Sequence, residues 1–288
     1  MASPTQPSAP SASSSTQIKP SQTQGPVPIL PTQFARTYAL AHPALILSLV
    51  AFRFSSVVKN PVVELLGDIP YLVGLQAVYA MGCLPPAGSE KDGSNGSAAS
   101  KGSAAGPPGL RRRGKSSSAG SGWSANLVLV AWKLTPALLS LTLTTLLATP
   151  VLALLLVLFG APLTTHHALT FLCAAHMALL SAFPLIYVHG VDGSVWREIW
   201  GAWRPMDTVW GGALGACLGA WFGAVPIPLD WDRPWQAYPI TILTGAYIGY
   251  AAGILLGRVK CLYGKRVEFA PGPEALEGEE QEKVEGKA

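Results

Sequence analysis

Charge is scarce in this chain. Of 288 residues only 12% are Asp, Glu, Lys or Arg, against 49% that are hydrophobic, a balance more apolar than that of an ordinary soluble domain. Cysteine is nearly absent as well. The four, at 83, 173, 217 and 261, form no C-x-x-C pair and show no metal-ligand spacing, so structural or inert thiols are expected. There is no P-loop, no G-x-S-x-G and no H-E-x-x-H, which removes the motif-level signatures of nucleotide, serine-hydrolase and zincin chemistry. Met1 to Pro31 lacks an apolar core of the signal-peptide kind, so membrane insertion is expected to start at an internal span. The net charge of +4 does not point to nucleic acid, because the basic residues flank apolar spans and form no stripe with interleaved aromatics.

What is present is hydrophobicity gathered into blocks. Residues 1–33 and 84–122 are rich in Ser, Pro, Gly and Ala with almost no large apolar side chains, a composition that cannot build a core. The remainder reads as an all-α integral membrane protein with six transmembrane helices. The first span is expected over 34–52, closed by Arg53, and the second over 61–82, opened by Pro61. Glu64 and Asp68 lie one turn apart near its start, where a helix-N-terminal role is expected. Trp123 to Phe159 is long for one span, and Lys133 divides it into an interfacial lead-in and a span over 134–159 with a kink at Pro150. A fourth span covers 168–188. Trp196, Trp200 and Trp203 at helical spacing then suggest a helix lying in the membrane interface.

The fifth and sixth spans, 207–225 and 238–258, form a glycine-ridged C-terminal hairpin. The first carries Gly211, Gly215, Gly219 and Gly223, the second Gly245, Gly249, Gly253 and Gly257. Residues four apart share one helix face, so each row is a smooth ridge of the kind that packs helices in lipid, on each other or on a partner. Between them runs Pro226-Ile-Pro-Leu-Asp-Trp-Asp-Arg-Pro-Trp235. The expected organisation is therefore a tail over 1–33, helices 1 and 2 over 34–83, a low-complexity loop over 84–122, helices 3 to 6 over 123–258 and a charged tail over 259–288.

Six spans place both tails, the 84–122 loop and residues 189–206 on one side. That side holds Lys19, Arg36, six cations of the long loop, Lys133, Arg197, Arg204 and six from Arg258 onward, leaving only Arg53, Lys59 and Arg233 of the 20 opposite. The positive-inside rule makes the crowded side cytosolic. Asn95-Gly-Ser97 is a glycosylation acceptor by sequence that this arrangement keeps unmodified.

Chemistry has few places to sit. His176 lies roughly 15 Å along a helix from His166 and His167, too far to share a metal with them. Asp230, Asp232 and Arg233 could hold a phosphate or cationic head group with Trp231 and Trp235 as a platform. The competing reading pairs Arg233 with an aspartate and uses the tryptophans as interfacial anchors. The non-cytosolic connectors are too short for a folded metal-dependent domain, so neither cofactor nor metal is expected. A lipid-handling role would require Glu64, Asp68, His176 and Asp207 to converge on a cavity.

The run Gly219-Ala-Trp-Phe-Gly-Ala-Val-Pro-Ile-Pro-Leu-Asp-Trp-Asp-Arg-Pro-Trp-Gln236, with Tyr238-Pro-Ile-Thr241 and the glycine ridge after it, resembles the signature of the PIG-F family of glycosylphosphatidylinositol (GPI) anchor biosynthesis. Leu158-Phe-Gly-Ala-Pro162 is similar to the same family. The likeness covers about residues 125–265 well and the first two spans loosely. It implies a multi-pass endoplasmic reticulum protein that stabilises the GPI ethanolamine phosphate transferases acting on the second and third mannoses, without catalysis of its own. On that reading the glycine rows pack on partner helices. The connector residues Pro228, Asp230, Trp231, Asp232, Arg233, Pro234 and Trp235 face the lumen. Where family members can carry a carboxylate before the threonine of the fourth span, this chain has His167-Ala-Leu-Thr170.

Overall fold

The computed structural model describes residues 25–89, 122–229 and 232–266, with backbone alone over 122–132. The expectations for Asn95, for the arginines of the long loop, and for Asp230 and Trp231 fall outside the described residues.

Helix α1, Gln33–Lys59, starts where Thr32 Oγ1 accepts from Ala35 N at 3.2 Å, an N-cap that satisfies one orphan donor. It does not stop at Arg53. Arg53 stays helical because Nη2 reaches Glu64 at 2.5 Å and Nε reaches Asp68 at 2.7 Å. These two carboxylates stand one turn apart on α2, Pro61–Cys83. With its charge met from the neighbouring helix, the guanidinium no longer has to mark the edge of the apolar layer. Only Asn60 separates α1 from α2, and Pro61 at the first helical position needs no hydrogen-bond partner for its nitrogen.

Helix α3 runs through Gly122–Leu143 and Thr149–Leu158, joined by a π-turn at Thr144–Ala148. The expected lead-in and span are one helix here, with Lys133 inside it, donating to the Met81 carbonyl at 2.9 Å. The π-turn sits just before Pro150. That ring cannot donate and would crowd the carbonyl four residues back, and the wider turn accommodates it.

Helix α4, His167–His189, is the axis of the bundle. Its apolar window is 78% buried, against 11% to 28% for the other long helices, and it packs on α2, on α3 and on the last two helices. Those are α6, Thr208–Ala224, and α7, Ile240–Leu256, preceded by the short α5, Gly193–Trp200. Among the described residues five segments are long and apolar enough to cross a membrane, Thr208–Leu229 among them, and the apolar Ile240–Leu256 is shorter. No strand occurs among the described residues.

Hydrogen bonds gather the chain at two ends. At one, Leu30 N donates to Cys83 O, Ala87 N to Tyr187 O and Met206 N to Lys265 O, while Gly264 N returns a bond to Met206 O. At the other, Tyr238 OH donates to Thr170 Oγ1 at 3.0 Å and Thr170 Oγ1 donates to Pro162 O at 2.8 Å. The Thr of His167-Ala-Leu-Thr170 thus ties the 158–162 turn to the connector before α7.

Helix α5 spans eight residues, so Trp203 of the expected interfacial helix lies beyond its end. Asp192 Oδ1 accepts from Ser194 N to cap it. Val195 and Ile199 turn inward, Trp196 Nε1 bonds the Gly190 carbonyl, and Trp200 and Trp203 remain exposed. The buried Arg204 meets Glu198 at 3.3 Å.

Candidate functional site

The glycine rows of α6 and α7 face each other. A Cβ placed on Gly215 would run into the Gly249 carbonyl oxygen, one on Gly219 into that of Gly245, and one on Gly211 into that of Gly253, each with the reverse clash as well. The same step continues at both ends, where Gly223 meets the Thr241 carbonyl and Gly257 the Asp207 carbonyl. Each layer advances four residues along α6 and retreats four along α7, so the antiparallel register never slips. Side chains are excluded from the seam, and the backbones touch directly.

Over this seam lies an apolar groove of about 660 Å³. It reaches from Met206 at one end to Pro226 and Trp235 at the other, with Phe54 of α1 on its flank. Glycines floor it, and Leu218, Phe222, Ile248 and Leu256 rise as exposed walls. Thr241 and Thr244 also line it, and none of the described lining residues is charged.

The connector closes this hairpin. Gln236 is buried and holds it, with Oε1 accepting from Arg233 N at 3.2 Å and Nε2 donating to Pro226 O at 2.9 Å. Asp232, Arg233 and Pro234 are exposed, while Trp235 is half-buried. Among the described residues Arg233 makes no ion pair. Pro228 lies in the short turn of 3-10 helix Ile227–Leu229.

The other polar residues separate into different places. Asp68 and His176 line a cavity of about 30 Å³ together with Arg53 and Tyr247, room for about two water molecules and far short of a lipid. His176 is fully buried, its Nδ1 at 2.7 Å from Tyr247 Oη and its Nε2 at 2.9 Å from the Leu65 carbonyl. Replacing it by phenylalanine orphans both partners. That should lower the stability of the detergent-solubilised protein by about 1–3 kcal/mol, read as a shifted unfolding midpoint. An unchanged midpoint would remove His176 from the fold's polar core. His166 and His167 are exposed, and among the described residues no cluster of three or more His, Cys, Asp or Glu could hold a metal.

Asp207 stands at the opposite end from Arg53, so the four acidic and histidine groups do not converge. Its Oδ1 accepts from Val209 N and Trp210 N at 2.8 Å and its Oδ2 from Val27 N at 3.0 Å. Burial pushes its carboxyl above the ordinary carboxylate range, against the pull of those three donors and of Arg204.

Two residues missed in the sequence are Gln76 and His42, both fully buried in the interior. Tyr250 donates to Gln76 at 3.1 Å and lies 3.2 Å from His42 Nε2, and His42 stacks on Tyr79 at 4.3 Å between ring centroids. Their signal was available, since polar side chains inside apolar spans rarely face lipid.

The family described as "GPI biosynthesis protein family Pig-F" matches residues 41–258. A protein of Aspergillus fumigatus named glycosylphosphatidylinositol anchor biosynthesis protein 11 is 57% identical over 264 residues, 85% of this chain and 86% of its own. The protein of that name from Neurospora crassa is 45% identical over 81% of this chain and 78% of its own. A human protein named "GPI ethanolamine phosphate transferase, stabilizing subunit" is 36% identical over 105 residues, 35% of this chain and 48% of its own. No solved structure matches.

Proposed function

Because the chain belongs to the PIG-F family of GPI biosynthesis proteins, we propose that it is the non-catalytic membrane subunit that binds and stabilises GPI ethanolamine phosphate transferases. It supports ethanolamine phosphate addition to the second and third mannoses of the GPI precursor. The observation that carries this reading is the family match across 41–258, joined to the printed role of the human relative. The protein sits in the endoplasmic reticulum membrane as six spans, with Ile240–Leu256 as the sixth despite its 17 residues. At 1.5 Å per residue that helix covers about 26 Å, close to the thickness of a bilayer's hydrocarbon core.

Both chain ends lie on the cytosolic side, in keeping with the excess of Lys and Arg there. The connectors around Pro162 and around Asp232–Trp235 face the lumen, where they brace the transferase's catalytic domain or its lipid donor. The catalytic groups belong to the transferase. Phosphatidylethanolamine or the GPI intermediate as cargo of this chain is the weaker reading, because the cavity lined by Arg53, Asp68 and His176 has about 30 Å³.

The test is purification of the tagged full-length chain from its own membranes in mild detergent. A large ethanolamine phosphate transferase in stoichiometric amount is the expected companion, identified by mass spectrometry. Recovery of the chain alone with bound phospholipid would overturn the subunit reading.

A further inference from the structure

Resting on that reading, we infer that the transferase is held by the groove beside the glycine seam, and that the groove takes one uninterrupted transmembrane helix. The glycine rows pack first on each other. Each faces a backbone carbonyl of the other helix with no room for a methyl group, so they set how closely α6 and α7 approach, and only the outer edge of their backbone is left to floor the groove. Their closeness leaves a broad trough on one side, and its walls, Leu214, Leu218 and Phe222 on α6 with Ile248, Ala252 and Leu256 on α7, repeat at four-residue steps. That is the spacing at which the side chains of a third helix find holes.

Three features select the occupant. Absence of charge is the first: none of the described lining side chains is charged, so a segment lying along it must itself be uncharged over its length. The second is extent. The groove continues from Met206 to Trp235, the full length of the hairpin, and so crosses both leaflets. An acyl chain belongs to one leaflet and would fill half of it; a spanning helix fills it all. The third is the floor, where bare backbone lets an occupant with small residues approach closely.

The experiment separates this inference from the function it rests on. Ala252 is exposed and lines the groove without belonging to the seam, so Ala252→Trp fills the trough and leaves the glycine contacts alone. Full-length wild type and variant are purified from membranes, and the retained transferase and phospholipid are quantified beside the thermal unfolding midpoint. The expected result is an unchanged midpoint with at least about tenfold less transferase retained. Equal retention by wild type and variant overturns the groove while leaving the subunit role standing. A transferase missing even from wild type overturns the subunit role. Loss of phospholipid alone makes the occupant a lipid and overturns the helix.

Should the tryptophan lower the midpoint, a smaller change decides. Ala252→Cys, made in a chain whose exposed Cys217 and Cys261 are serine, carries a photo-crosslinker. Attachment to a peptide from an apolar spanning segment of the transferase is the supporting outcome. Attachment to lipid, or to the lumenal domain, sinks the proposal.

Discussion

Replacing Gly249 by leucine should remove the folded protein from the membrane altogether, with only aggregate recovered by size-exclusion chromatography in detergent. Even the first carbon of the new side chain would sit 2.8 Å from Gly219 Cα and drive into the Gly215 carbonyl. Neither obstacle is the movable end of a side chain. Overpacking that side chains can absorb typically costs about 1–3 kcal/mol, and here two backbones must separate across a seam of five matched layers. That is a large share of a stability of about 5–15 kcal/mol. Gly74→Ala is the control, because nothing lies within 4 Å of its added carbon. Removing a helical glycine there should gain about 0.5–1 kcal/mol. A monodisperse Gly249→Leu protein with a wild-type midpoint would show that the seam does not hold the hairpin. The result also bears on partner assays, since falling transferase levels in a glycine variant would report loss of the hairpin before loss of docking.

The second large effect is expected at Asp207. Alanine there removes the N-cap of α6, worth about 0.5–2 kcal/mol, and the acceptor for Val27 N, worth about 1 kcal/mol more. The midpoint should fall, and protease should cut the 25–31 segment well before the bundle opens. Asparagine divides the two roles. Its carbonyl can still accept from Val209 and Trp210, but its amide cannot accept from Val27, so Asp207→Asn should keep the cap and free the segment. If both variants resist protease like wild type, the Val27 contact is incidental.

Much of this was legible in the sequence and the exceptions have definite causes. The apolar blocks and the four-residue glycine spacing follow from composition and helical periodicity, and they located the long helices among the described residues. Arg53 misled because a charge reads as a boundary when taken alone. Its partners, Glu64 and Asp68, stand 11 and 15 residues on, and only the one-residue turn at Asn60 sets them against it. The glycine rows left two options open, each other or a partner. Spacing says that a ridge exists, whereas register, fixed by the connector and by Gln236, decides what it touches. The tryptophans of 196–203 split for a similar reason, since Trp196 finds a carbonyl at Gly190 and the other two find none to turn toward.

The hydrogen bonds at the Val27 end of the bundle carry one more consequence. Val27 is held by Asp207, Tyr263 reaches the Val27 carbonyl at 3.5 Å, and the space beside Gly264 is bounded by Pro26 at 3.7 Å. The first and last described stretches therefore abut, and the described chain is almost a closed loop. Its order along the chain is a matter of where the ring happens to be cut, so linking residue 266 to residue 25 and opening the sequence in another connector should give a circular permutant that keeps the packing of the bundle.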